Sequence, residues 1–226
     1  MTSMSDYLQS YSENLSRLLL GTVVTDRSGN ELTFDRAVEE VTELFISRAR
    51  SGPNKIMFVG NGGSAGIVSH QVFDYWKNGG LRAVGFNDPA SLTGSANDFG
   101  YANVFSRPLA VFAQEGDVLV AISSSGQSAN IVNAAIEARK RRSAVVTLSA
   151  FSEDNPLRRL GDWNFYVPSH HYGLVEVAHL AISHSFLDYI LAHKTPGASP
   201  RRIIGRDEVT DAPRLEESPE TRGGRP

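Results

Sequence analysis

Short apolar segments alternate with helical patterns along most of this chain, and polar turns join them. The clearest case is the apolar run at residues 118–122, which leads into the hydroxyl-rich turn at 123–128 and then into a helical pattern. Predicted strands span residues 55–60, 81–86, 117–122, 143–148 and 163–167. Helical patterns cover residues 7–20, 34–49, 64–76, 89–113, 128–141 and 174–193. This alternation predicts an α/β fold with leading helices, in which helices cover both faces of a central parallel sheet.

The amino-acid composition excludes several classes of protein. The chain has 226 residues, of which 41% are hydrophobic, enough for one buried core. Its 22 basic and 25 acidic residues leave a formal charge of −3, which does not favour a nucleic-acid partner. The absence of cysteine excludes disulfides, thiolate zinc sites and cysteine nucleophiles. With neither a leader-like N-terminus nor an apolar stretch long enough to span a bilayer, we expect a cytoplasmic protein that binds no membrane.

The composition changes after Lys194. Residues 195–226 are rich in proline, arginine, glutamate and glycine, and they lack apolar periodicity. We therefore expect a single domain over residues 1–194 and a flexible, solvated tail over residues 195–226.

The serine-rich turn has the features of an anion site. Unpaired N–H groups at a helix N-terminus carry partial positive charge, and side-chain hydroxyls beside them add further donors. The hydroxyls are those of Ser123, Ser124, Ser125 and Ser128. We predict that this turn holds the phosphate group of a phosphorylated metabolite.

A glycine-rich turn, residues 60–65, follows the first predicted strand of the alternating region. The spacing of Gly60, Gly62 and Ala65 loosely matches a dinucleotide-binding fingerprint, which expects an acidic residue about twenty positions later. Residues 78–82 contain no acidic residue, so we expect no nucleotide cofactor. A simple strand-to-helix turn is the other interpretation, but Asn61 and Ser64 add polar groups that such a turn does not need.

Two predicted helices carry titratable side chains. His70 and Asp74 are four residues apart and therefore share one helix face, where they can share a metal ion or a proton. The last helix carries Glu176, His179 and His184 among apolar residues. Taken alone, the first pair suits a solvated face, and His179 is better explained as a packing residue than as a ligand. His170 and His171 lie in a turn and receive no predicted role.

Several separate motifs together resemble the phosphoheptose isomerases (sedoheptulose 7-phosphate isomerases) of the sugar-isomerase (SIS) domain family. The motifs occur in family order and spacing between about residues 4 and 193. They are Gly-Asn-Gly-Gly-Ser-Ala at 60–65 with His70 after it, Ala-Asn-Asp-Phe-Gly-Tyr at 96–101, Val-Phe-Ser-Arg at 104–107, Glu-Gly-Asp at 115–117 and Ile-Ser-Ser-Ser-Gly-Gln-Ser-Ala-Asn at 122–130. The resemblance implies an SIS-type, flavodoxin-like three-layer α/β/α sandwich. It also implies a homotetramer with active sites between subunits, a bound zinc or other divalent metal, and ketose–aldose isomerisation of a sugar phosphate.

The resemblance also assigns roles to individual residues. The phosphate loop falls on Ser123, Ser124, Ser125 and Ser128, and further substrate contacts fall on Asn61, Gly62, Ser64, Asn97, Asp98 and Glu176. The metal ligands fall on His70, Asp74, Glu176 and His184. Among these, Asp74 is expected to act as general base, and His184 as the acid that also assists ring opening.

Departures from the family pattern cluster where the sugar chain would bind. Asp74 stands in place of glutamate, Glu176 in place of glutamine, Gly173 and Leu174 in place of an Asp-Arg pair, and Ile67 in place of aspartate. The phosphate loop changes only at Ser124, where threonine is usual. Two alternatives therefore stay open: an isomerase of a longer phosphoketose, such as an octulose phosphate used for an antibiotic sugar, and a non-catalytic binding module.

Helix geometry constrains the predicted metal site. Glu176 and His184 are eight residues apart, which is about 12 Å of rise on one α-helix and too far for both to bind one ion. Either Glu176 precedes the helix, or a second chain completes the site.

Overall fold

The computed structural model describes residues 4–194, so the predicted tail lies outside the described residues. A sheet of seven strands forms its centre, in the spatial order β2-β1-β7-β6-β5-β3-β4. The strands are β1 (Val23–Asp26), β2 (Glu31–Leu32), β3 (Ile56–Gly60), β4 (Ala83–Gly85), β5 (Val118–Ser123), β6 (Ala144–Ala150) and β7 (Trp163–Val167). Strands β3 to β7 are parallel, which confirms the predicted central parallel sheet.

An antiparallel hairpin that the sequence analysis did not predict extends one edge of this sheet. β1 pairs antiparallel with β7 on one side and with β2 on the other. The turn between them depends on Asp26, whose carboxylate accepts hydrogen bonds from the backbone N–H groups of Ser28 and Asn30, and on Gly29 at φ +84°. These strands were missed because four and two residues are too short to show an alternating pattern.

Helices cover both faces of the sheet, as predicted. They are α1 (Met4–Leu20), α2 (Phe34–Phe45), α3 (Gly62–Lys77), α4 (Pro89–Phe99), α5 (Ser106–Phe112), α6 (Ala129–Lys140) and α7 (Tyr172–His193). Alternate strand residues point to opposite faces, so Phe58 and Val120 pack with α2, α3 and α7, whereas Val59 and Ala121 pack with α5 and α6. The resulting two-sided core confirms a three-layer sandwich.

Two predicted helices differ in detail. The pattern at 34–49 is an α-helix that ends in a π-helical turn at Ile46–Arg50. The pattern at 89–113 is divided into α4, a 3₁₀ turn at Tyr101–Asn103, and α5. Gly100 ends α4 at φ +76°, a conformation that favours glycine.

Within residues 4–194, α7 alone is long and apolar enough to cross a bilayer by length and composition. This corrects the expectation that the chain has no such stretch. Nevertheless, 44% of its most apolar window is buried, and Ile182, Phe186 and Ile190 belong to the core. A core helix meets the same criterion, so α7 is weak evidence for membrane insertion.

Candidate active site

The glycine-rich and serine-rich turns meet at one edge of the sheet. Gly60 pairs with Ile122, so the parallel strands β3 and β5 end side by side and their following turns face each other. Between them lies a cavity of about 220 Å³, which we call the cradle. Its lining residues are Asn61, Gly62, Gly63, Ser64, Ile122, Ser123, Ser124, Ser125, Ser128, Tyr172 and Glu176. The structure thus brings together all four predicted phosphate-loop serines and all three predicted glycine-loop contacts.

The hydroxyl of Ser124 is the most informative polar group in the cradle. Its Oγ is buried and has no hydrogen-bond partner within residues 4–194. By contrast, the Ser123 Oγ accepts a hydrogen bond from the Gly126 N–H at 3.1 Å and lies 3.4 Å from the Ser128 Oγ. A buried hydroxyl without a hydrogen-bond partner lowers the stability of the folded protein. Its presence in the cradle is explained if a bound ligand supplies the missing partner.

Asn61 is fixed by two residues that received no predicted role. Its side-chain amide and that of Asn130 exchange two hydrogen bonds of 2.9 Å each, and the Tyr101 hydroxyl donates to the Asn61 Oδ1 at 3.1 Å. Asn130 and Tyr101 both lie in motifs on which the family resemblance rests. Those motifs could have identified them as site residues. The result is a rigid polar wall on one side of the cradle.

Glu176 belongs to the cradle. It lies inside α7, which excludes the alternative that it precedes the helix. A Cβ built on Gly63 would overlap the Glu176 carboxylate, so this side chain packs directly against the first turn of α3. The partial positive charge at a helix N-terminus stabilises a carboxylate there.

A second cluster of titratable groups forms where α3 and α7 run side by side. The Nε2 of His70 lies 3.2 Å from the Nε2 of His184 and 3.3 Å from the Oδ2 of Asp74. All three ligand atoms lie within 4.8 Å of one another. The side chain of Asp74 is 15% exposed and that of His70 is 51% exposed, so the cluster is in contact with solvent.

The donor set of this cluster fits a divalent metal. Two atoms that bind a tetrahedral zinc at 2.0–2.1 Å are roughly 3.3 Å apart, which matches the separations of 3.2 and 3.3 Å in this cluster. Two imidazoles and one carboxylate also suit other first-row metals. Glu176 is not part of this cluster within one chain, so its predicted role as a ligand requires a second copy of the chain.

Three further histidines that the sequence analysis considered, His170, His171 and His179, have structural roles. His179 is fully buried, and burial lowers its pKa to about 4, so it is neutral at physiological pH. The Nδ1 of His171 accepts a hydrogen bond from the Leu174 N–H and caps α7, while His170 stacks on Phe151. None of the three joins the metal-ligand cluster.

Asn97 and Asp98, which were predicted to contact the substrate, do not line the cradle within one chain. The Asn97 amide donates to the Asp98 carboxylate at 3.0 Å, and Asp98 lines a separate cavity of about 630 Å³ between α4 and α5. The reason is that α4 ends at Gly100, and it is Tyr101, after that turn, that reaches Asn61. Contacts of Asn97 and Asp98 with a substrate stay a prediction.

Comparison with known proteins identifies the family. The SIS domain family model matches residues 33–150. The chain is 34% identical to the phosphoheptose isomerase of Sulfurimonas denitrificans over 68% of this chain and 80% of that protein, and 32% identical to that of Aneurinibacillus thermoaerophilus over 80% and 90%. The solved phosphoheptose isomerase of Neisseria gonorrhoeae superposes with a TM-score of 0.69 at 27% identity, covering 83% of this chain and 99% of that one. The chain therefore belongs to the SIS domain family and, within it, to the phosphoheptose isomerases.

Proposed function

We propose that this protein interconverts sedoheptulose 7-phosphate and the corresponding aldose, a heptose 7-phosphate. The observation that carries the proposal is the convergence of His70, Asp74 and His184 from two helices beside a serine-lined cradle. A binding module needs the cradle alone. A carboxylate and an imidazole within reach of each other are what proton transfer between neighbouring carbons requires.

The dimensions of the site suit a sugar phosphate of this length. Along α3, His70 lies six residues beyond Ser64, which is about 9 Å of rise, and Asp74 lies ten residues beyond, about 15 Å. An extended chain advances about 1.2 Å per bond, so the eight bonds from C1 to phosphorus in a heptose 7-phosphate span about 10 Å. A phosphate in the cradle therefore leaves the carbonyl end of the sugar near His70. The Asp74 carboxylate lies 3.3 Å from the His70 Nε2, so its side chain reaches back toward the same position.

Each group has a definite task in the proposed reaction. The cradle binds the phosphate and fixes the position of the chain. Asp74 removes the proton from C1 of the ketose and returns it to C2. His184, through the ring nitrogen that does not face His70, donates a proton to the C2 carbonyl oxygen and takes up the proton that leaves the C1 hydroxyl. In the preceding ring opening, His184 transfers the proton of the anomeric hydroxyl to the ring oxygen. A divalent metal, for which we propose zinc, would be held by His70, Asp74 and His184 and would supply electrostatic stabilisation of negative charge on the substrate oxygens.

We further propose that Glu176 of a second copy supplies the fourth ligand, in a homotetramer with sites between subunits. Glu176 and His184 of one helix are about 12 Å apart along the axis, which prevents both from binding one ion. Co-expression of E176A and H184A chains tests this arrangement, because mixed oligomers would regain some intact sites. Recovery of activity supports shared sites, whereas inactive mixtures or a fully active monomer contradict them.

A longer phosphoketose, such as an octulose phosphate, is the second candidate substrate. Asp74 is one methylene shorter than the usual glutamate, and Gly173 replaces a larger side chain at the start of α7, beside the cradle residue Tyr172. Both changes leave more room for substrate. We propose a cytoplasmic location for either reaction, since sugar phosphates are intracellular metabolites.

The deciding experiment is a panel of six- to eight-carbon ketose phosphates, each with the phosphate on its terminal carbon, followed by NMR for formation of the aldose. Each reaction is run with zinc, with chelator and with the H184N variant. Turnover of sedoheptulose 7-phosphate that chelator and H184N abolish supports the proposal. Preference for the eight-carbon substrate selects the second candidate, and no turnover of any substrate indicates a binding module.

A further inference from the structure

Asn155 lies directly beneath the serine loop (residues 123–128) and takes no part in the site described above. Its side chain is 1% exposed. The Nδ2 donates to the Ser149 Oγ at 3.1 Å, to the Ser152 carbonyl at 2.8 Å and to the Ala150 carbonyl at 3.4 Å, and the Oδ1 accepts from the Arg158 N–H at 3.0 Å. The amide therefore fixes the segment that links the end of β6 to residue 158.

This segment supports the serine loop at three points. The Ala150 N–H donates to the Ser124 carbonyl at 3.0 Å, and the Leu157 N–H donates to the Gly126 carbonyl at 3.1 Å. Gly126 also has φ +63°, and a Cβ built on it would overlap the Asn155 amide. Asn155 thus occupies the space that any side chain at position 126 would need, and the loop rests on it.

These contacts orient a donor toward the cradle. In a trans peptide unit the C=O and N–H bonds point in opposite directions. Because the Ser124 carbonyl is directed toward β6, the Ser125 N–H of the same peptide unit is directed away from β6. In the sheet, β3 lies on the opposite side of β5 from β6, and the turn after β3 forms the other wall of the cradle. The Ser125 N–H therefore faces the space between the two turns.

We infer that Asn155 is a positioning residue for phosphate binding: it holds Gly126 and the segment after β6 so that the serine loop presents its donors to the cradle. This inference rests on the proposed function, because it requires the cradle to bind a phosphate group. Asn155 does not belong to the His70–Asp74–His184 cluster, so it contributes to substrate binding and not to proton transfer.

The test replaces Asn155 with leucine, which has a similar shape, adds no charge and makes no hydrogen bonds. Asn164→Leu is a matched control. Asn164 is also 1% exposed and makes several hydrogen bonds, but it lies near the start of β7, where it bonds to Thr147 and Gly161. Binding of inorganic phosphate is measured by calorimetry for both variants, together with KM, kcat and Tm.

We expect N155L to weaken phosphate binding at least about tenfold, the loss of roughly one charge-assisted hydrogen bond. KM should rise by a similar factor with kcat within about twofold, whereas N164L should lower Tm comparably and keep phosphate affinity. Wild-type phosphate affinity in folded N155L, or an equal loss in N164L, overturns the inference.

Two provisions keep this test decisive. If N155L does not fold, N155S keeps a single donor and is assessed by the same criteria. If no sugar phosphate is turned over but N155L loses phosphate affinity and N164L does not, the positioning role stands and the proposed reaction fails.

Discussion

His70 and His184 are 114 residues apart in the sequence, yet their Nε2 atoms are 3.2 Å apart. Two imidazole nitrogens at this distance either share one proton or bind a common cation, because two lone pairs facing each other repel. α3 and α7 bring them together by packing along the same face of the sheet. Asp74, one turn after His70, adds a carboxylate to the pair.

Replacement of Asp74 by Asn removes the proposed base and a proposed ligand while preserving the side-chain shape. We expect kcat to fall by about 10²-fold or more, the usual contribution of general base catalysis. Phosphate affinity should not change, because Asp74 lies beyond the cradle. Asp188→Asn is the control: it changes an exposed carboxylate on α7 and should retain full activity. Steady-state kinetics and phosphate titration measure the two effects, and D74N with wild-type kcat would exclude Asp74 as base.

Two glycines in α3 provide a matched pair of substitutions. Gly63→Ala places a methyl group against the Glu176 carboxylate, whereas a Cβ at Gly66 meets nothing within 4 Å. We expect G66A to stabilise the protein by up to about 1 kcal/mol through helix propensity. G63A should displace Glu176, reduce activity and gain no stability. Thermal unfolding and initial rates compare the two, and a fully active G63A would show that the Glu176 position is not required.

How far the sequence predicts this structure depends on the range of the interactions involved. The strand that leads into Ser123 and the helix that follows the turn are local features, and their periodicity was sufficient to predict them. β1 was not predicted because it has only four residues and pairs with β7, which is distant in the sequence. The role of Asn155 was not predicted because it depends on contact with Gly126, which lies 29 positions earlier. No sequence pattern links the two residues.

The same distinction applies to the site. The position of Glu176 relative to His184 follows from helical rise, and the structure agrees that one chain does not bring them together. Asn97 and Asp98 were assigned by motif alone. The direction of the backbone after Gly100 determines which side chain reaches Asn61. No periodic pattern in the sequence predicts that turn.

Ser124→Ala separates binding from stability. The Ser124 Oγ is buried without a partner in the part of the chain that the structure describes, so its removal relieves an unsatisfied donor. The free energy of unfolding of the ligand-free protein should stay the same or rise by about 1 kcal/mol. KM for the sugar phosphate should rise at least about tenfold, because the hydroxyl no longer contacts the phosphate. Urea unfolding and kinetics measure both quantities, and an unchanged KM would contradict a phosphate contact from Ser124.

The buried His179 should make the stability of the protein depend on pH. Burial lowers its pKa from 6.5 to about 4 in the folded protein, so the unfolded chain binds more protons between these values. The contribution of His179 to the free energy of unfolding is therefore fully present above about pH 6.5. It decreases as the pH falls toward 4, by about 2 kcal/mol between pH 7.5 and 5. Asp26, Glu40 and Asp88 have lowered pKa values and lose their contributions only at lower pH, so they do not interfere in this window.

The measurement of this effect is urea unfolding at pH 7.5 and 5 in the presence of chelator, which removes any contribution from a bound metal. His179→Leu should abolish most of the difference between the two pH values, because no buried imidazole is left to be protonated on unfolding. His170→Asn, an exposed histidine stacked on Phe151, should keep the wild-type difference. If H179L and the wild type lose stability equally on acidification, another group is responsible, and the neutral state assigned to His179 in the folded protein is wrong.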